Sequence, residues 1–263
     1  MDRFDLFPFS SEREIVVDAG YLGSGRHIIH GLVEVDVTRA RELRRQLSAS
    51  DGTPISFTGF IVASLGRAIA SNPRVQAYRD WRRRLVVFHD VDVVTMIEAE
   101  EDRVAIPHII RKADQRTVRE ISDEIRAIQG QPGSSEQAGG LIKLAPRVPR
   151  FVRLLFFWVV KKNPHWFKQL QGTAVITSVG MFGKGGGWGI GFLPVHNLGL
   201  TVGGIAQKPG VHEGRVEVRE YLSLTISFDH DIVDGAPAAR FGRKLIELIE
   251  EATLLEEMLD ELR

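Results

Sequence analysis

From Leu222 the chain reads Leu-Ser-Leu-Thr-Ile-Ser-Phe-Asp, large apolar and small polar residues in alternation, and a few residues later it becomes Gly235-Ala-Pro followed by a long helical periodicity. Alternation buries one face of a strand; three- and four-residue spacing buries one face of a helix. The stretch therefore obliges the chain to set a helix beside a sheet. The predicted helix runs from Ala236 to Leu262, with Phe241, Leu245, Leu248, Ala252, Leu255, Leu259 and Leu262 on its buried stripe. His230 stands where the strand ends, and Asp234 and Gly235 lie in the turn before the helix.

A histidine fixed at a strand end suits a general base, because imidazole, with an ordinary pKa of ~6.5, accepts a proton from a thiol or hydroxyl at neutral pH. His-x-x-x-Asp-Gly alone equally describes a structural histidine beside a turn, so the surrounding residues must decide. Cysteine is absent, which removes disulfides, thiolate metal sites and any cysteine nucleophile, and suits a reducing cytoplasm.

The rest of the chain alternates strands and helices. Residues 1–20 read as an irregular arm, apart from Ile15 to Val17. Arg26 to Val37 reads as a strand, Arg39 to Leu47 as a basic helix, and residues 55–71 as a buried helix ending before Asn72-Pro73. Strands are predicted at Leu85 to Phe88, Val91 to Ile97 and in the segment after Arg103. Thr117 to Ile128 reads as an amphipathic helix with Val118, Ile121, Ile125 and Ile128 on one face. Residues 130–140 read as an exposed loop. Gly172 to Gly180 reads as a strand, followed by a glycine-dense run through Trp188 that lacks the Gly-Lys-Ser/Thr word of a nucleotide loop and suits either a flexible loop or close backbone approach to a long ligand arm. Asn197 to Ala206, Val211 to Val218 and Glu220 to Asp229 read as the last strands, with a turn at Gly214.

Three words of this sequence, Val-Glu-Val-Asp-Val-Thr38, Gly172-Thr-Ala-Val-Ile-Thr-Ser178 and Ser-Phe-Asp-His230 through Val-Asp-Gly-Ala-Pro-Ala-Ala-Arg-Phe241, resemble the catalytic domain of dihydrolipoamide acyltransferases. These are the E2 cores of 2-oxoacid dehydrogenase complexes, a branch of the chloramphenicol acetyltransferase-like superfamily. The resemblance covers roughly residues 13–250. It implies an α/β, chloramphenicol acetyltransferase-like single domain over residues 1–263, with a mixed central sheet flanked by helices. It also implies an acyltransferase using coenzyme A or acyl-CoA, in which His230 takes a thiol proton and Thr177, or Ser178 if the register slips by one, stabilises the oxyanion. Asp234 is expected to orient the active-site loop through an ion pair with Arg13 or Arg26. Gly235 is expected to permit the tight turn, and Gly180, Trp188 and Gly235 to meet the cofactor. A homotrimer with its active site at the subunit interface is implied, with a larger shell left open.

Two features depart from that pattern. Asp231 stands where the family usually has arginine, a carboxylate able to disfavour an anionic ligand. Residues 149–167, Pro-Arg-Phe-Val-Arg-Leu-Leu-Phe-Phe-Trp-Val-Val-Lys-Lys-Asn-Pro-His-Trp-Phe, have no evident counterpart. They read as a helix on the core or a subunit contact rather than an interfacial helix, because they look apolar nearly all round. With no lipoyl or peripheral subunit-binding domain in view, the acceptor is expected to be a lipoyl group in trans or a small amine or alcohol. A non-catalytic scaffold built on the same core is the alternative. Lysine plus arginine equals aspartate plus glutamate, at 34 each. That balance suggests neither nucleic acid nor a membrane as partner, and no metal is called for.

Overall fold

The computed structural model describes residues 3–50, 52–97, 106–131, 135, 148–179 and 185–262. Helix α1 (Ser11–Gly23) leads to strand β1 (Ile28–Asp36), α2 (Thr38–Ser50) and α3 (Phe57–Ser71). A two-stranded ribbon, β2 (Tyr78–Arg79) and β3 (Leu85–Val86), precedes β4 (Val93–Ile97), β5 (Ile106–Ile110) and α4 (Val118–Gly130). Then come α5 (Arg150–Lys162), α6 (Pro164–Gln171), β6 (Ala174–Ser178), β7 (Leu198–His212), β8 (Arg215–Asp229), α7 (Gly235–Glu251) and α8 (Thr253–Glu261).

The main sheet has the order β1-β8-β7-β6-β4-β5. It is mixed: β1–β8, β8–β7 and β4–β5 are antiparallel, whereas β7–β6 and β6–β4 are parallel. The β8 alternation sorts its side chains as the sequence predicts, but both faces are covered rather than one, since Ser223, Thr225 and Ser227 are buried too. Leu222, Leu224, Ile226 and Phe228 enter the core, where Phe228 meets Phe241 of α7 edge-to-face at 5.8 Å. The same core takes Val118, Ile121 and Ile125 of α4, which starts with a capping box between Thr117 and Glu120.

Four expectations need correction. The arm of residues 1–20 is helical from Ser11: Ser10 caps the Arg13 N–H, and Asp18, buried in α1, is held by Arg150 and Arg153 of α5. Partners that far along the chain leave no local periodicity to read. The last three predicted strands are two, because β7 and β8 form one long hairpin closed at Glu213-Gly214, where both residues have positive φ (48° and 76°) as a two-residue turn demands. The terminal helix is interrupted at Ala252, whose left-handed conformation (φ 54°, ψ 32°) ends α7 and re-aims the chain so that Leu254 and Leu255 are both buried. Of the loop predicted as exposed, 132–134 and 136–140 lie outside the described residues, while Ser135 is buried against His108, with Oγ 3.2 Å from Nδ1.

Helix α5 also departs from the reading of a helix on the core. Only Arg153 and Val160 are buried, and its remaining apolar side chains are wholly or partly open to solvent.

Candidate active site

The β8 alternation carries the chain to Asp229, where β1 and β7 hold it from both sides. Ile28 is its register partner, its N–H donates to Asn197 O at 3.0 Å, and the N–H of His230 donates to His27 O at 2.8 Å. His230 thus leaves the sheet from a point bonded on two edges, and its side chain is 47% exposed. The turn tightens at once: the N–H groups of Ile232 and Val233 both donate to Asp229 O at 3.0 Å, and Asp231 N–H donates to Asp229 Oδ1 at 3.1 Å.

Below the turn lies a clamp that sequence reasoning assigned to a different partner. The guanidinium of Arg26, 5% exposed, donates to Asp229 Oδ2 at 2.8 Å, Asn197 Oδ1 at 2.5 Å, His196 O at 2.7 Å and Pro194 O at 3.3 Å. Arg26 therefore pairs with the residue before His230, not with Asp234. Arg13 is exposed and uses its backbone N–H in the α1 cap. Asp234 is itself exposed at the N-terminus of α7, where its Oδ1 lies 3.8 Å from His230 Nδ1, too long for a hydrogen bond. Gly235 is not needed for backbone freedom: it is the first residue of α7, lacks a left-handed φ, and a Cβ there meets nothing within 4 Å. Asp231 is turned to His27, with Oδ1 2.9 Å from Nδ1, and that hydrogen bond holds its carboxyl below the ordinary range.

Thr177 lies on β6 opposite Thr201 of β7, which in turn lies opposite Thr225 of β8. Its methyl is about to touch the segment after the glycine run, since a Cβ on Gly191 would sit 3.0 Å from Thr177 Cγ2. Ser178 points to the opposite side of the strand and is exposed. Thr177 is two strands across from Thr225 and His230 is five residues beyond it, so the two predicted catalytic groups are on the order of 20 Å apart within one chain.

Of the described glycines in the run, Gly186 and Gly187 approach β7, while a Cβ on Gly185 meets nothing within 4 Å. Gly186 faces Ala206, the N–H of Gly204 donates to Gly187 O at 2.9 Å, and a Cβ on Gly203 would lie 2.2 Å from that same oxygen. This crossing sits at the register shift between Val202 and Ile205. Trp188 is half-exposed, and its indole N–H donates to Val33 O at 3.3 Å. Gly180 lies outside the described residues. His196, whose Nε2–H donates to Gln171 O at 2.7 Å, escaped the sequence reading; burial pushes its pKa down to about 4, keeping it neutral.

A family model described as the catalytic domain of 2-oxoacid dehydrogenase acyltransferases matches residues 27–136 and 161–257. The chain belongs to this family. The dihydrolipoyllysine-residue acetyltransferase component of the pyruvate dehydrogenase complex of Staphylococcus epidermidis is 26% identical over 234 residues, covering 84% of this chain and 45% of the relative. The chain thus spans under half the length of such curated relatives. In three dimensions, the cubic core of the pyruvate dehydrogenase multienzyme complex superimposes with a TM-score of 0.72 at 17% identity, over 96% of this chain and 94% of that one. Chloramphenicol acetyltransferase gives 0.52 at 14% identity, over 89% and 94%. The fold of this acyltransferase-family chain is therefore the chloramphenicol acetyltransferase-like one. The matched segments enclose the β8–α7 turn with His230 and leave out 137–160, most of α5 included.

Proposed function

We propose that the chain transfers an acyl group between coenzyme A and a thiol acceptor, with a dihydrolipoyl group carried on another protein as the favoured acceptor. The observation that carries this reading is the placement of His230: a solvent-reachable imidazole on a turn that the Arg26 clamp and the His27 carbonyl fix against the sheet. Such a group needs little reorganisation to act as a base.

In the forward direction the His230 ring takes the proton of the acceptor S–H, and the thiolate attacks the thioester carbonyl carbon. The carbonyl π pair becomes the oxyanion, which the Thr177 hydroxyl stabilises by donation. Collapse expels the coenzyme A thiolate, and the imidazolium returns the proton to it. Asp234 puts negative charge near the ring while positive charge develops there. Because one chain holds His230 and Thr177 far apart, the working site pairs His230 of one copy with Thr177 of another, in a trimer. The cofactor passes beside the glycine run, with Gly180 and Trp188 in reach.

Acetyl-CoA with dihydrolipoamide, or with a free lipoyl domain, tests the reading directly. His230→Ala should lose roughly 10²–10⁴-fold in transfer, and Thr177→Ala roughly 10²-fold. Mixing the two inactive proteins under conditions of subunit exchange should restore activity, because mixed assemblies contain intact pairs. Wild-type silence with every acceptor from a folded protein would favour the scaffold alternative, and failure of the mixture to recover would place both residues' work within one copy.

A further inference from the structure

Helix α5 is built inside out. Three of its four cations reach inward: Arg153, 8% exposed, lies 2.7 Å from Asp18 of α1, Arg150 Nε donates to the same carboxylate at 2.8 Å, and Lys161 Nζ donates to Leu22 O at 3.2 Å. Its large apolar groups turn outward. Phe151, Leu155 and Trp158, at helical spacing, form a ridge exposed to 73%, 61% and 53%. The apolar-all-round objection to an interfacial helix therefore falls, since the polar side exists and is spent on α1.

The surroundings say what such a ridge faces. Helices α5 and α6, residues 150–171, contain no aspartate or glutamate and five lysines and arginines, of which Arg150, Arg153 and Lys168 pair with Asp18 and Asp90 from other elements and Lys162 stays exposed. Cations also border the ridge at both ends, Arg150 stacking over Tyr21 at 5.8 Å and Lys162 over Trp158 at 5.9 Å. Aromatic and aliphatic groups in the middle with cations at the rim match the depth profile of a lipid headgroup region. Two-fold pairing of the face with a second copy would set a surface without carboxylates of its own helix against its like. The ridge also lies in the 137–160 interval outside the two family-matched segments.

We infer that the α5 face docks the protein peripherally on an anionic lipid surface. Docking is without insertion of a span, since no helix among the described residues is long and apolar enough to cross a membrane. Cations near such a surface each tighten binding ~5-fold, and the ridge supplies the apolar part.

The test is co-sedimentation of the full chain with vesicles of phosphatidylcholine alone or with about a third phosphatidylglycerol, a content that gives a strongly negative surface. Wild type should pellet with the anionic vesicles at least tenfold more strongly and be released by salt at about 0.5 M. The double variant Leu155→Glu, Trp158→Glu should lose at least tenfold, and Lys162→Gln, which leaves the ridge intact, about fivefold. Circular dichroism and light scattering check fold and mass. Wild type remaining in the supernatant with both vesicles, or the double variant binding like wild type, overturns the inference. So does a double variant whose assembly mass falls while vesicle binding is unchanged, which would make the ridge a contact between copies.

Discussion

Helices α3 and α5 look alike in sequence, both short on polar residues, and the fold treats them oppositely. In α3 ten of fifteen positions, Gly59 to Gly66 with Ala68 and Ile69, are buried; in α5 only Arg153 and Val160 are. Charge separates them in part, since α5 carries Arg150, Arg153, Lys161 and Lys162 where α3 carries only Arg67. Small residues complete the difference: a Cβ on Gly59 would lie 2.7 Å from Ser122 Oγ of α4, and one on Gly66 2.7 Å from the Ala113 carbonyl carbon. Those two notches let α3 sink between its neighbours, whereas α5 presents Phe, Leu and Trp outward and holds on by charge. Close approach, together with fewer charges to satisfy, selects the buried helix.

The comparison can be broken at the charged joint first. Asp18→Ala strips Arg153, buried beside it, of its nearest carboxylate and should cost about 3–5 kcal/mol in urea unfolding. A loss under about 1 kcal/mol would mean that α5 is held mainly by apolar contact instead. Next, Leu65→Ala in α3, at a fully buried position, should cost roughly 2–5 kcal/mol by the same measurement. Acid reaches the α6 side through His196. Its folded pKa of about 4 lies below the ordinary 6.5, so the unfolded chain binds more protons between those values. The contribution of His196 is complete above pH 6.5, falls as pH drops toward 4, and amounts to about 3 kcal/mol; His196→Gln should flatten the pH profile of thermal unfolding over that window. Smallest is Leu155→Ala, the α5 counterpart of Leu65→Ala, expected within about 0.5 kcal/mol. A larger loss that grows with protein concentration would show a second copy covering α5.

These contrasts also mark what the sequence could disclose. The α4 stripe, the β8 alternation and the position of His230 at a strand end are set by neighbours within a few residues, and the periodicity carries them. Thr177 on the side of Thr201, with Ser178 opposite, follows from the period of two. The partner of Arg26 did not follow, because Asp229 is 203 residues away and Asp234 has the same chemistry nearby. Asp231 could not be assigned to His27 for a similar reason. The glycine run allows either a flexible loop or close approach to a ligand arm, and among the described residues Gly186 and Gly187 come close to β7. Ala252 carries no sign of its left-handed turn, since tertiary packing, not its own preference, places it there.

The β7–β8 hairpin has a consequence in time. Its strands of 15 residues are joined by two, so they can pair in roughly 1–10 μs once the turn forms. Pairing of β8 with β1 must instead close a loop of roughly 200 residues, which is slow to find. The His27 carbonyl and Arg26 belong to that late edge, so the histidine is anchored among the last events of maturation. Pulse-labelled amide exchange should protect Thr201 and Thr225, which face each other across the hairpin, before Ile29 and His230, and a heat-stressed chain would lose the anchor of His230 well before it loses its sheet.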